Sequence, residues 1–198
     1  LAAAARHVER FERAGEAFKR AALLAPDNPE AHLGAGFALL RLRKLDESRM
    51  QAQQVLDTPR VTAIAQATAH ELLARVALAR RDVERARSEA ALAEEADALR
   101  PVTAFVEGRI AFDRRRYTDA LASFEEALAA TEKTPDRQVA DLRVLAAESL
   151  LALDRYSEAE YLFEQELEDT PSSRARAGLT AVYRATGRTD EASILTAH

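Results

Sequence analysis

Four histidines, His7, His32, His70 and His198, are the only imidazoles in the chain and the first candidates for metal binding or proton transfer. On a helix, such chemistry needs a second histidine or a carboxylate three or four residues away, so that both groups reach one point. Around His70 the sequence offers Glu71 and Ala74, which do not build such a cluster. His32 and His70 read instead as interface side chains facing a neighbouring helix. The carboxylate pairs Glu94–Glu95 and Glu125–Glu126 read as solvated helix backs. Arg114–Arg116 is the only tight basic run, and it reads as a solvated turn and not as a phosphate site. There is no P-loop, GxGxxG or nucleophile elbow. Cysteine is absent, which excludes disulfides and thiolate chemistry. No catalytic residue, cofactor or metal site is therefore expected in this segment.

The elements that would position any site are helical. Alanine, leucine, glutamate and arginine dominate, glycine and proline number six each, and alternating strand-type runs are missing. Hydrophobic residues at 47% and charged residues at 31% fit an ordered chain of ordinary soluble composition. The net charge of −5 weighs against nucleic-acid binding, which needs a concentrated basic surface. No stretch approaches the roughly 20 apolar residues that would insert across a bilayer. Leu1 enters directly into a helical pattern and Glu191–His198 stop inside one, so the chain reads as a segment of a longer protein.

A repeat organises these helices, most clearly over Pro101–Leu128. There Gly108 and Ala111 supply small residues, a charged turn follows at Asp113–Arg116, and Tyr117, Ala120, Phe124 and Ala127 share one face of a second helix. The equivalents of Ala120 are Ala14, Ser48, Ala86, Ala159 and Ala192, with spacings of 34, 38, 34, 39 and 33 residues along the chain. Twelve places before each marker stands another small residue or threonine: Ala2, Gly36, Ala74, Gly108, Ala147 and Thr180. Large residues flank the markers, as ridges that fill the grooves between neighbouring hairpins.

This register resembles the tetratricopeptide repeat, a helix–turn–helix unit of 34 residues. Gly36, Leu39 and Leu45 carry the resemblance in the second unit. Gly108, Tyr117, Ala120, Phe124 and Ala127 carry it in the fourth, and Ala147, Tyr156, Ala159, Phe163 and Pro171 in the fifth. Terminal prolines stand at Pro26 and Pro171, with Pro59 one residue early and Pro101 and Pro135 late. His32 and His70 occupy the slot where the family favours tryptophan, and Ser48 replaces the usual alanine. The resemblance implies an all-α, right-handed α-solenoid of stacked antiparallel helix hairpins, continuous over 1–198. Its approximate repeats are 1–28 (truncated), 29–60, 61–100, 101–135, 136–172 and 173–198 (truncated). The first unit is expected to pair a short helix, Leu1–Glu9, with Phe11–Ala25. The third is expected to lengthen its front helix by four residues, and Thr131–Asp136 to form a long connection.

The resemblance also implies a protein-binding groove lined by the front helix of each hairpin. Its second unit would offer Leu33, Phe37, Leu40 and Arg41, and its third Glu71, Arg75 and Leu78. The fourth would add Phe105, Arg109, Phe112 and Asp113, and the fifth Val144, Glu148 and Leu151. Arg174, Ala181 and Arg184 would close it. Arg75 and Arg109 share a slot, so they are expected to stack as neighbours. Such a strip would suit a partner peptide or helix with apolar and acidic side chains. In the alternative reading the arginines pair with Glu71, Asp113 or Glu148. A family variant clamps a partner's terminal carboxylate with lysines and asparagines, but Lys19, Lys44 and Lys133 are the only lysines and none falls at a groove slot. A homo-oligomerisation module, or a regulatory module of a larger enzyme or transcription factor, are the alternative functions. The excess of arginine over lysine and the abundance of alanine suggest a bacterial source.

Overall fold

The structure, a computed structural model, describes residues 2–132, 134, 137–170 and 172–197, with side chains from residue 12 onward to 196. Leu1, Lys133, Pro135, Asp136, Pro171 and His198 lie outside the described residues, as do the side chains of His7 and Phe11. Among the described residues the chain forms eleven α-helices and no strand. They are α1 (Ala2–Leu24), α2 (Pro29–Arg41), α3 (Leu45–Asp57), α4 (Ala63–Ala79), α5 (Val83–Ala96) and α6 (Val102–Asp113). After these come α7 (Tyr117–Glu132), α8 (Leu142–Ala152), α9 (Tyr156–Asp169), α10 (Ser173–Ala185) and α11 (Thr189–Ala197).

Capping chemistry sets where the helices begin. Side-chain oxygens of Asn28, Thr62, Asp82 and Ser172 accept backbone N–H groups two or three residues on, at 3.0–3.2 Å, which satisfies donors the helix itself cannot. The ends of α2, α4, α6, α8 and α10 share one device. Each closes with a residue in the left-handed region: Arg43, Arg81, Arg115, Asp154 and Gly187, all five places before a small marker. At each turn the next N–H reaches back to the carbonyl five residues earlier, as from Lys44 to Leu39 (2.9 Å) and from Arg116 to Ala111 (2.9 Å). This pairing consumes the last carbonyls of the front helix and reverses the chain into the second helix.

Three expectations need correction. The first unit is not a hairpin, because α1 runs unbroken from Ala2 to Leu24. From Ala2 to Arg13 the sequence is rich in Ala, Glu and Arg, which favour helix continuation, and holds no Gly or Pro that would break it. Thr131 belongs to α7, which extends to Glu132, so the connection starts later than expected. Glu94 is not merely solvated, since its carboxylate accepts the Thr103 N–H at 2.9 Å in the first turn of α6. The four-residue excess of the third unit does lie in its front helix: α4 has 17 residues where α2 has 13.

The chain divides into two compact units, Leu1–Val106 and Glu107–His198. In the first, α2 packs on α1, α3 and α4, and α4 on α3 and α5. Ala52, Val55, Ala65, Ala69, Leu72 and Leu73 form a core, with Leu33, Phe37, Leu40, Leu56 and Val61 packed against it. Buried Val and Leu side chains of this kind are worth roughly 1.5–3 kcal/mol each. Ser48 is fully buried, and its hydroxyl donates to the Gly36 carbonyl at 2.8 Å, so the departure from alanine leaves no polar group orphaned.

In the second unit α8 packs on α7, α9 and α10, and α10 on α9 and α11. Phe124, Leu145, Phe163 and Val182 are fully buried there. A Cβ at Gly108 would stand 2.5 Å from the Phe124 ring, so α6 and α7 pack ring on backbone. That contact is the physical reason for the small residue twelve places before the Ala120 marker.

Candidate functional site

The front helices carry every residue expected in the groove, but at different depths. In the first unit Glu71 is 1% exposed, and its carboxylate is gripped from both sides. Arg75 Nε donates to Oε1 at 2.8 Å, and Arg100 donates to Oε2 through Nε (2.8 Å) and Nη2 (2.7 Å). The Arg75 guanidinium also lies over the Phe105 ring, 4.1 Å from its centroid, and 6.0 Å from that of Phe37. Arg75, Arg100 and Phe105 are themselves buried. Glu71, Arg75 and Phe105 therefore form an internal clamp rather than a groove surface. Leu33, Phe37, Leu40 and Leu78 are half-buried, and Arg41 is exposed.

In the second unit the ionic pairs recur, less deeply buried. Arg174 Nε donates to Glu148 at 2.6 Å, and Arg109 Nη2 lies 3.4 Å from Asp113. Burial works against the charge of Arg174, but its hydrogen bonds to Glu148 outweigh this and hold the guanidinium above its ordinary value. Phe112 meets Tyr117 edge to face at 5.5 Å. Val144 is buried, Leu151 is half-buried, and Ala181 and Arg184 are exposed. Arg75, Arg109 and Arg174 thus each pair with one of the three carboxylates of the alternative reading.

His32 and His70 are both buried interface side chains, as expected. His70 Nδ1 lies 2.9 Å from Glu89 Oε2. His32 Nε2 donates to the Pro26 carbonyl at 2.9 Å, and its Nδ1 lies 2.8 Å from Gln51 Oε1. Gln51 and Glu89 each stand 19 residues beyond their histidine, on the second helix of the same hairpin. Among the described residues no three His, Asp or Glu side chains are placed to hold a metal ion, and no helix is long and apolar enough to cross a membrane.

Arg100 escaped the sequence reading. It lies in the α5–α6 connection, outside the repeat register, and no periodic signal marks it.

A family model described as tetratricopeptide repeat matches residues 1–60 and 105–174. The chain belongs to the tetratricopeptide repeat family. Tetratricopeptide repeats generally serve as protein–protein interaction scaffolds and are typically not catalytic. Two stretches are unmatched: 61–104, with the lengthened α4 and its partner α5, and 175–198, with most of α10 and with α11. No curated protein matches the chain by sequence.

Solved structures share the fold. A thermophilic tetratricopeptide repeat protein of Thermus thermophilus superposes with a TM-score of 0.59 at 24% identity, covering 91% of this chain and 94% of that one. Cut9–Hcn1 of the APC/C matches with a TM-score of 0.62 at 16% identity over 90% of this chain and 34% of that one. Yeast Tom70 matches with a TM-score of 0.61 at 19% identity over 91% of this chain and 37% of that one. The chain spans about a third of the length of the latter two.

Proposed function

We propose that the chain is a non-catalytic scaffold, one domain over 1–198, whose front helices hold a peptide or helix of a partner protein. One observation carries the reading. At the same repeat position of its front helices each unit keeps apolar side chains partly exposed, Leu40 and Leu78 in the first and Phe112 and Leu151 in the second. Half-buried apolar side chains on pre-formed helices suit an incoming apolar face, because little further ordering is needed. The paired arginines Arg109 and Arg174 would supply polar rims, where charges tune specificity more than affinity. The single-domain reading rests on the lack of a Gly-, Ser- or Pro-rich linker in the sequence.

Arg75 is unsuitable for testing this, since replacing it would break the Glu71 clamp. The test selects binders from a displayed peptide library and measures their affinity for wild type and a Leu40→Gln, Leu78→Gln variant. At least tenfold weaker binding by a variant with unchanged helicity is expected. Equal affinity would remove the front-helix surface as the site.

A further inference from the structure

The turn edge of the first unit has a charge pattern that the fold does not require. The α2–α3 turn presents Arg43 and Lys44, and the α4–α5 turn presents Arg80 and Arg81, all exposed. A hydrogen bond of 2.6 Å from Arg80 Nη2 to Asp46 ties the two turns side by side. The nearby acids are already engaged: Asp46 by Arg80, Glu47 by Lys19, Asp82 by the Arg85 N–H and Glu84 by Arg87. Among the described residues no carboxylate comes within ion-pair distance of Arg43, Lys44 or Arg81.

Residue type at these positions runs against local preference. Arg43 and Arg81 stand at φ 60° and 63°, in the left-handed region that disfavours any residue with a Cβ. Gly187 fills the same slot in the last hairpin. Glycine would serve the turn better, so the fold gives no reason for arginine there. Both turns are fixed by their backbone hydrogen bonds, which presents the cations with little backbone entropy left to lose.

We propose that this edge is a docking surface for an acidic, extended segment of a partner protein, separate from the front-helix face. Arginine's planar fork suits carboxylates. Adjacent hairpins pack roughly 8–10 Å apart, and an extended peptide advances about 3.3 Å per residue, so acids two or three residues apart would reach successive turns. Three cations on a chain of net charge −5 fit such a segment better than a nucleic-acid backbone, which calls for a broader basic surface.

The test uses a fluorescein-labelled twelve-residue peptide of alternating Glu and Ser, read by anisotropy at low salt. Wild type is expected to bind it, and an Arg43→Gly, Arg81→Gly variant to bind at least tenfold more weakly with a smaller salt dependence. Because glycine suits both positions, the variant should melt no lower than wild type, which separates lost binding from lost fold. Arg115→Gly, the same change in the second unit, should leave binding intact. The proposal is overturned if wild type ignores the peptide, if the double variant binds it equally, or if a single-stranded DNA of equal charge binds more tightly than the peptide.

Discussion

The guanidinium carbon of Arg75 lies over the Phe105 ring, 4.1 Å from its centroid, while its Nε donates to the buried carboxylate of Glu71. A charge is tolerated this deep because Arg100 grips the other oxygen of the same carboxylate. Removing one member of such a set leaves an uncompensated buried charge, at about 3–5 kcal/mol, whereas replacing all members by apolar residues can be neutral. Glu71→Ala should therefore destabilise the protein by several kcal/mol in urea unfolding. Combining Arg75→Met, Glu71→Leu and Arg100→Met should restore most of that loss. A triple variant as unstable as Glu71→Ala would mean the clamp contributes more than charge compensation.

Two glycines facing phenylalanines predict opposite outcomes. A Cβ at Gly178 would overlap the ring of Phe163, which is 0% exposed and held on all sides. A Cβ at Gly34 would approach Phe18 to 2.5 Å, but Phe18 is 40% exposed and can turn outward. Alanine gains about 1 kcal/mol over glycine inside a helix, while overpacking costs about 1–3 kcal/mol. Gly178→Ala should lose up to about 2 kcal/mol, and Gly34→Ala should be neutral or slightly stabilising. Thermal unfolding of the two variants side by side checks this.

The same contacts show what the sequence could reveal. Small residues twelve apart mark hairpins because the fold demands close approach there, and Gly108 against Phe124 is that demand made visible. The extra turn of α4 was legible too, since four added residues leave the register on either side intact. Arg100 was not legible, because it reaches back 29 residues to Glu71 from a connection without periodicity. Helix α1 was misread for a related reason: repeat spacing continues through Glu9, but only packing energy decides whether a helix folds back. Depth was the third gap. Phe105 and Phe112 lie on one predicted face, yet the first is buried beneath Arg75 and the second stays half-exposed beside Tyr117.

Glu166 gives a dependence on pH. Burial is the main influence and pushes its carboxyl above the ordinary glutamate value, against the pull of Arg143 at 3.6 Å. A raised folded-state value means the folded protein favours the protonated form. The stabilising contribution is then complete in acid, below the ordinary glutamate range, and is lost as pH rises through the raised value. Glu166→Gln should therefore raise the melting temperature at neutral pH and leave it unchanged in acid. Arg143 keeps Asp169 at 2.7 Å in that variant, so its own charge stays paired. A gain that is equal at both pH values would show that titration of Glu166 is not its source.

Arg115 tests the turn device itself. It stands at φ 59°, with its own N–H bonded to the Phe112 carbonyl at 2.9 Å and the Arg116 N–H to that of Ala111. Left-handed backbone costs a residue with a Cβ roughly 1–2 kcal/mol, and glycine escapes this at a smaller cost in unfolded-state entropy of about 0.4–1 kcal/mol. The side chain is exposed and no ion pair holds it among the described residues, so little else is lost. Arg115→Gly should stabilise by up to about 1 kcal/mol, which is roughly 2–4 °C in Tm for a chain of this length. Arg115→Val should do the reverse, because β-branching makes the left-handed region costlier still. If calorimetry ranked valine above glycine, the turn would not be held in the geometry that closes all five hairpins.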